Sequence, residues 1–419
     1  MKRFRMPTAY TILFFLLIAV AAATWFVPAG QYAREGEDQT PVAGTYAQVE
    51  QQPQGVAEVV LAPFRGFYDA VDVAVFILMV GGFLGVMMKT GAIDAGIAGI
   101  IAKLHGKERL LIPILMIFFG LGGTSFGMWE ETMAFFPLLI PVFVAAGYDA
   151  VTAVAVILLG AGSGVMAGTV NPFATGIASG FAGVSLGDGI LLRLLLLLLY
   201  EGASIWFVMA YAAKIKKRPE LSRVAGRDQK FRHEGEAPPL TTRRKIALGI
   251  AIGLIYGLGE EETADAFVSG GADLIGVAFI IGISRGVTVL MNDGAITDTV
   301  LHWGEEALSG AGGGLFAVLV FLLCLPLSIL IPSSSALAVL AIPILAPLGQ
   351  FAGVEKSLVV TAFQAASGLV NIITPTAAVV MGGLAFGRVP YDRWFRFVWK
   401  LLLIFVLLTA GILWGSAIL

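Results

Sequence analysis

The chain has 419 residues, of which 58% are apolar and only 13% charged, with 27 basic against 29 acidic side chains. A soluble domain carries about a quarter charged residues, so soluble enzymes, nucleic-acid binders and disordered proteins are excluded. The near-neutral balance says nothing of an anionic partner, and a single cysteine, Cys324, allows neither a disulfide framework nor a thiolate metal site.

Lys2, Arg3 and Arg5 precede an apolar stretch over residues 10–27. It is too long for the core of a secretory signal and the Pro28, Ala29, Gly30 that follow make a poor cleavage site, so it reads as a retained first helix with its amino end in the cytoplasm. Residues 30–58 hold Arg34 against Glu35, Glu37, Asp38, Glu50 and Glu58, whereas residues 214–245 hold eleven basic side chains against four acids. By the positive-inside rule the first loop faces out and the second faces the cytoplasm. An odd number of crossings must separate them. Residues 71–90, 109–122, 150–185 as one interrupted span, and 188–213 supply four, and 91–105 is left for the fifth. Beyond the basic loop, residues 246–259 would make about 21 Å of helix at ~1.5 Å per residue, too short for a comfortable crossing. Either this piece lies along the membrane surface or, the preferred reading, a segment the size of a helix or more is absent near residues 257–260. Glu260, Glu261 and Glu262, continued by Asp265, read as a solvated helix start.

The second half repeats the first. A shift of 203 residues lays Phe76, Ile77, Gly91, Ala92, Ile93 and Pro172 onto Phe279, Ile280, Gly294, Ala295, Ile296 and Pro375, and a shift of 206 lays Pro137, Pro141, Gly147 and Asp149 onto Pro343, Pro347, Gly353 and Glu355. The polar, Gly- and Pro-containing interruptions fall in matching positions: 122–132 with 331–336, and 167–173 with 371–376. Unpaired backbone in hydrocarbon costs several kcal/mol per group, so such breaks persist only where protein or a wet cavity covers them, and paired breaks near the midplane point to a transporter's binding site. The first pair reads as the tips of two re-entrant hairpins and the second as unwound points in two spanning helices. Half-helix amino ends there offer N–H groups to an anion. Freed carbonyls and the hydroxyls of Thr124, Ser125, Ser333, Ser334, Thr374 and Thr376 suit a small cation or a polar substrate.

Glu130 and Glu131 follow the first tip, and Arg285 sits midway through an apolar run. Ionisable groups at that depth cost ~2.5–3.5 kcal/mol or more unless paired or wetted, which makes them site candidates. A structural pairing of Arg285 with Asp293 or Asp273 is the competing account. Arg193 is read as snorkelling, with Glu201 in the same run, and His105, His233 and His302 as solvated. Residues 160–164 are glycine-rich but lack the lysine of a phosphate-binding loop.

The expected fold is an all-α polytopic membrane protein with two inverted repeats, each with a re-entrant helical hairpin and a broken transmembrane helix. The first helix and extracytoplasmic loop occupy 1–57. Repeat 1 spans 58–213, with its hairpin at about 120–146 and its broken helix at 150–185. The basic loop and short hydrophobic segment occupy 214–259. Repeat 2 spans 260–419, with its hairpin at about 327–349 and its broken helix at 356–389.

The opening residues 2–17, WFVPAGQY at 25–32, GMWEET at 127–132, GTVNPFATGIA at 168–178, SRGVTVLMNDGAITDT at 284–299, IPSSSALAVLAIPILAPL at 331–348 and FGRVPYDRWFRF at 386–397 resemble the YfcC family. That family stands with the arginine/ornithine antiporters and the anaerobic four-carbon-dicarboxylate carriers in the ion-transporter superfamily. The resemblance implies a homodimer in which a mobile transport domain moves past a fixed scaffold, and members longer than this chain by a hydrophobic pair before Gly259. It also implies a substrate site shared by the tips (Thr124, Ser125, Gly127, and Pro332, Ser333, Ser334, Ser335) and the breaks (Thr169, Asn171, Pro172, and Asn371, Thr374, Pro375, Thr376).

The expected function is secondary active transport of a small charged metabolite across a bacterial cytoplasmic (inner) membrane by elevator-type alternating access, with the amino terminus cytoplasmic and the carboxyl terminus extracytoplasmic. The leading substrate is an amino acid, basic such as arginine or ornithine, exchanged or coupled to H⁺ or Na⁺, with Glu130 and Glu131 balancing its cationic group. No cofactor is expected beyond the coupling ion, for which Na⁺ would sit near Thr124, Asn171, Ser334 and Thr374. The expected partners are the substrate, the lipid bilayer and a second copy of the chain, without nucleic acid. A mono- or dicarboxylate carrier with Arg285 as anion partner is the alternative, and a channel or non-transporting scaffold the alternative of another class. No catalytic constellation gathers at one depth, so no enzyme is expected.

Overall fold

The computed structural model describes residues 9–35, 40–90, 107–224, 258–273, 275–308 and 310–418. Helix α1 (Ala9–Ala23) leads into a loop with two antiparallel ribbons, β1 (Gly30–Gln31) with β4 (Ala47–Gln48) and β2 (Arg34–Glu35) with β3 (Thr40–Pro41). Then follow α2 (Val56–Asp69), α3 (Val71–Lys89), α4 (Leu111–Phe126), α5 (Phe136–Ala145), α6 (Ala150–Ala167), α7 (Ile177–Ala182) and α8 (Ile190–Lys217). After the basic loop come α9 (Glu260–Asp273), α10 (Ile275–Asp293), α11 (Thr297–Leu308), α12 (Gly313–Leu330), α13 (Ser334–Phe351), α14 (Lys356–Asn371), α15 (Ala378–Phe386) and α16 (Tyr391–Ser416).

Among the described residues, six helices are long and apolar enough to cross a membrane: Glu108–Phe126, Ala150–Ala182, Ile190–Lys217, Gly313–Leu330, Ser334–Phe351 and Tyr391–Ser416. The chain is a multi-pass membrane protein. Helix α8 carries a matching apolar face, with Leu191, Leu195, Leu198 and Trp206 exposed, as lipid contact requires. Helices α10 and α11 meet at a 78° bend. The expected span at 91–105 and most of the short stretch at 246–259 lie outside the described residues, as do His105 and His233. The acids at the start of α9 are exposed, as a solvated helix start requires.

Two helices form the centre. Every residue of α6 is buried, and so is α14 from Ser357 to Val370. They pack on each other, α6 between α4 and α8, and α14 between α12 and α16. Small residues permit this: a Cβ placed on Gly164 would stand 2.1 Å from the Gly120 carbonyl oxygen of α4, so the two backbones touch. Asp149 caps α6 by accepting from the Thr152 N–H (2.9 Å) and hydroxyl (2.6 Å). The same carboxylate accepts from the hydroxyls of Tyr211 and Ser222, each at 2.7 Å, tying α8 and the start of the basic loop to the α6 cap. Outside this centre the contacts cross between halves, α2 on α10 and α3 on α9.

Two side chains depart from expectation. Arg193 does not snorkel: it is fully buried and donates through Nη2 to the Leu186 carbonyl at 2.6 Å, because α8 starts only three residues before it and the preceding turn folds back over it. His302 is not simply solvated, because it sits inside α11. Its Nδ1 lies 3.2 Å from Glu305, and its ring stacks on Tyr46 with centroids 4.0 Å apart. Around it, the Tyr32 hydroxyl donates to Glu305 (2.6 Å) and Arg34 forks onto Asp298 (2.9 and 2.8 Å), fastening the first loop to α11. Burial and the Glu305 acceptor push the Tyr32 phenol above its ordinary range.

Gly164→Ala puts a methyl group against backbone that cannot yield cheaply, and overpacking of this kind costs about 1–3 kcal/mol. Thermal unfolding of the detergent-solubilised variant is expected at a lower temperature than wild type. Gly202→Ala, on α8 with open space around it, is expected to unfold no earlier than wild type.

Candidate functional site

Helix α4 ends at Gly127, whose φ of +76° is left-handed and whose missing side chain makes room for Asn171: a Cβ there would lie 2.7 Å from Asn171 Oδ1. The chain then winds through a 3₁₀ segment, Glu130–Phe135, into α5. Glu131 accepts from the Trp129 N–H at 3.2 Å. In the second half α12 stops at Leu330, and α13 starts at a Ser333 cap whose hydroxyl accepts from the Ala336 N–H at 3.3 Å. Helix α6 stops at Gly168, and the chain restarts as a π-helical turn, Pro172–Gly176, before α7. Asn171 caps this restart by accepting from Phe173 N–H (2.9 Å) and Ala174 N–H (3.3 Å). Helix α14 stops at Asn371 and restarts as α15 at Ala378.

These interruptions release carbonyl groups in an apolar interior, and side chains of other elements accept the task of pairing them. Gln364 of α14 donates to the Val165 carbonyl (2.5 Å), and Thr175 donates to that of Gly168 (2.7 Å). Ser335 at the start of α13 donates to the Phe173 carbonyl at 2.9 Å. For the second break, Trp394 Nε1 reaches the Ile372 carbonyl (3.1 Å), Tyr391 the Ile373 carbonyl (2.8 Å) and Ser284 of α10 the Thr376 carbonyl (3.1 Å).

All four interruptions and α10 border one cavity of about 490 Å³. Gly127, Glu130 and Glu131 come from the first tip, and Pro332, Ser333, Ser334 and Ser335 from the second. Asn171 comes from the first break, Asn371 and Thr376 from the second, and Arg285 from α10. Other expected residues stay off this wall. The Thr124 hydroxyl donates to Thr169 Oγ1 (3.1 Å) and accepts the Thr169 N–H (3.0 Å), so both threonines pin the end of α4 to the break. Ser125 is exposed and donates back to the Leu121 carbonyl at 2.6 Å. Thr374 pairs with Thr376 hydroxyl to hydroxyl at 2.7 Å, and Pro172 and Pro375 shape the turns. Of the four residues named for Na⁺, Asn171 and Ser334 reach the wall and Thr124 and Thr374 do not.

The wall also holds residues that sequence reasoning passed over: Trp129, Val165, Phe173, Ile281, Ser284, Ala377 and Ala378. Trp129 and Ser284 adjoin singled-out charges, which was the available signal. The competing account, a pairing of Arg285 with Asp293, is not met. Asp293 is bound by Arg65, and the Arg285 Nε lies 3.8 Å from Asp69 at the end of α2, because α2 rather than the end of α10 packs along this face. The Asp273 side chain lies outside the described part of the structure.

A family model described as the DcuC C4-dicarboxylate anaerobic carrier matches residues 6–246 and 241–416. An uncharacterized protein of Haemophilus influenzae is 32% identical over 479 aligned residues, covering 95% of this chain and 94% of its own. A putative basic amino acid antiporter of Escherichia coli, YfcC, is 31% identical over 470 residues, covering 94% and 93%. Both alignments exceed the 419 residues of this chain, so each relative carries residues for which this chain has none. The family match divides at residues 241–246, beside the short stretch noted above. Among solved structures, the Alcanivorax borkumensis YdaH transporter covers 97% of both chains at 14% identity, with a TM-score of 0.44.

Gln364→Leu leaves the Val165 carbonyl without its donor at the heart of the fold, a loss worth about 1–3 kcal/mol. The unfolding temperature in detergent is expected to fall, and an unchanged value would show that this carbonyl is paired otherwise.

Proposed function

The chain belongs to the family of YfcC and the anaerobic C4-dicarboxylate carriers, and from that membership we propose that it is a secondary active transporter for a small amino acid, basic such as arginine or ornithine. The observation that carries the proposal is the composition of the cavity: Glu130 and Glu131 on one tip, Arg285 on α10 and the serines of the opposite tip border the same space. A ligand with a cationic side chain and a carboxylate finds both partners there. Aromatic and aliphatic wall residues such as Trp129, Phe173 and Ile281 suit the alkyl stem between them.

In this reading the halves are two inverted copies, each contributing a re-entrant hairpin and a broken helix. The recurrence of helix order and the exchanged contacts of α2 with α10 and α3 with α9 support a two-fold relation, since such an operation maps one contact onto the other. The carrier lies in the bacterial inner membrane with its amino terminus inside and its carboxyl terminus outside. It works as a homodimer by elevator-type alternating access, exchanging substrate or coupling it to H⁺ or Na⁺.

A second reading, transport of a mono- or dicarboxylate, is favoured by Arg285 on the cavity wall and by the amino end of α13 directed there through Ser333 and Ser334. Exchange of labelled substrates in proteoliposomes separates the two. Arginine or ornithine exchange that drops at least about ten-fold in Glu131→Gln, equivalent to about 1.4 kcal/mol, with the variant still monodisperse, is the expected result. Succinate or malate exchange with no response to amino acids would assign the second reading. Flux at a rate far above that of a carrier and without countertransport, as through a channel, would sink both.

A further inference from the structure

We propose that Glu201, in the middle of α8 and away from the substrate cavity, is the proton-binding site through which this carrier draws on a pH gradient. The proposal rests on the transporter reading above. Glu201 is 9% exposed, and neither carboxyl oxygen has a hydrogen-bond partner or contact with solvent. Its position is central, eleven residues from the start of the 28-residue α8. An ionised carboxylate is not sustained in such a place without a partner.

Among the described residues, no partner stands near. Helices α4 and α6, which pack on α8, contain no ionisable side chain at all. Helix α16 keeps Tyr391, Asp392, Arg393, Arg396 and Lys400 in its first ten residues. It meets this part of α8 through Phe405, 5.1 Å from the Tyr200 ring, and Thr409, whose hydroxyl pairs with that of Tyr200 at 2.6 Å. One turn on, Ser204 pairs with Ser163 of α6 at 2.8 Å. The neighbouring polar groups are thus paired with each other, and Glu201 is left as an isolated acid.

Its surroundings connect it to the moving parts. The carboxyl lies over Gly120 of α4, where a Cβ would come within 2.8 Å of Oε2. Gly120 is seven residues, about 10 Å of helix, before the Gly127 tip that borders the cavity. Movement of α4 and its hairpin along α8 uncovers the carboxyl. Its O–H bond then breaks and the proton passes to water on the side then open. The carboxylate takes a proton from water of the opposite side when the carrier opens there, before it is sealed again. One proton is thus moved from one side to the other per cycle, with no other co-reactant.

Infrared spectroscopy of the purified protein at neutral pH is the direct test, since it needs no substrate. A carboxylic-acid C=O band that disappears in Glu201→Gln and shifts but persists in Glu201→Asp is expected; a spectrum unchanged by Glu201→Gln overturns the proposal. In proteoliposomes, pH-gradient-driven accumulation is expected to fall at least about ten-fold in Glu201→Gln, while substrate-for-substrate exchange stays within about two-fold of wild type. Accumulation that survives the substitution, or wild-type accumulation indifferent to a pH gradient, overturns it. Failure of the transporter reading shows itself differently, as absence of exchange by the wild type with the infrared band intact.

Discussion

A backbone carbonyl released inside an apolar interior must find a donor, and the arrangement of this protein follows from where those donors stand. The two central helices break at Gly168 and at Asn371, and their freed carbonyls are reached by Gln364, Thr175 and Ser335 on one side and by Trp394, Tyr391 and Ser284 on the other. Most of these donors belong to elements distant in sequence. Each break therefore fixes a neighbour: α14 against α6, the start of α13 against the π-turn, and α16 and α10 against the second interruption. The space left between the fixed parts is the cavity. Its polar wall is a by-product of the same requirement, because the segments that cannot be helical are also the ones rich in serine, threonine and asparagine.

Much of this was legible in the sequence. Gly, Pro and polar residues in otherwise apolar runs, recurring at offsets of 203–206, marked all four interruptions, and the charges Glu130, Glu131 and Arg285 stood out against hydrocarbon. What a linear pattern does not carry is the use of each hydroxyl. Thr124 and Thr169 were expected at the site, and in the structure they bond each other, tying the end of a helix to the adjacent break. The partner of Arg285 was out of reach for a related reason: Asp69 belongs to α2, and only the crossing of α2 over α10 brings them together. Arg193 was misread because burial by a preceding turn leaves no trace in composition.

The charges divide by setting. Glu130, Glu131 and Arg285 share a polar space with one another and with serines, where a ligand can complete their pairing. Among the described residues, Glu201 has no hydrogen-bond partner for either carboxyl oxygen and lies over Gly120. Ionisable groups in one membrane protein thus occupy two environments with different demands, one polar and shared with other charges and the other dry and apolar.

The first loop adds a final element. Through Arg34 on Asp298, Tyr32 on Glu305 and the Tyr46 ring on His302, a segment that precedes both halves is strapped to the second half, and no counterpart of that segment recurs among the described residues. Two halves of like build would open toward either side at equal cost, and a strap on one rim removes that equality. In the carrier proposed above, the resting balance between the two openings would therefore be tilted by a feature that borders no part of the cavity, and trimming the strap would retune which side the empty carrier prefers to face.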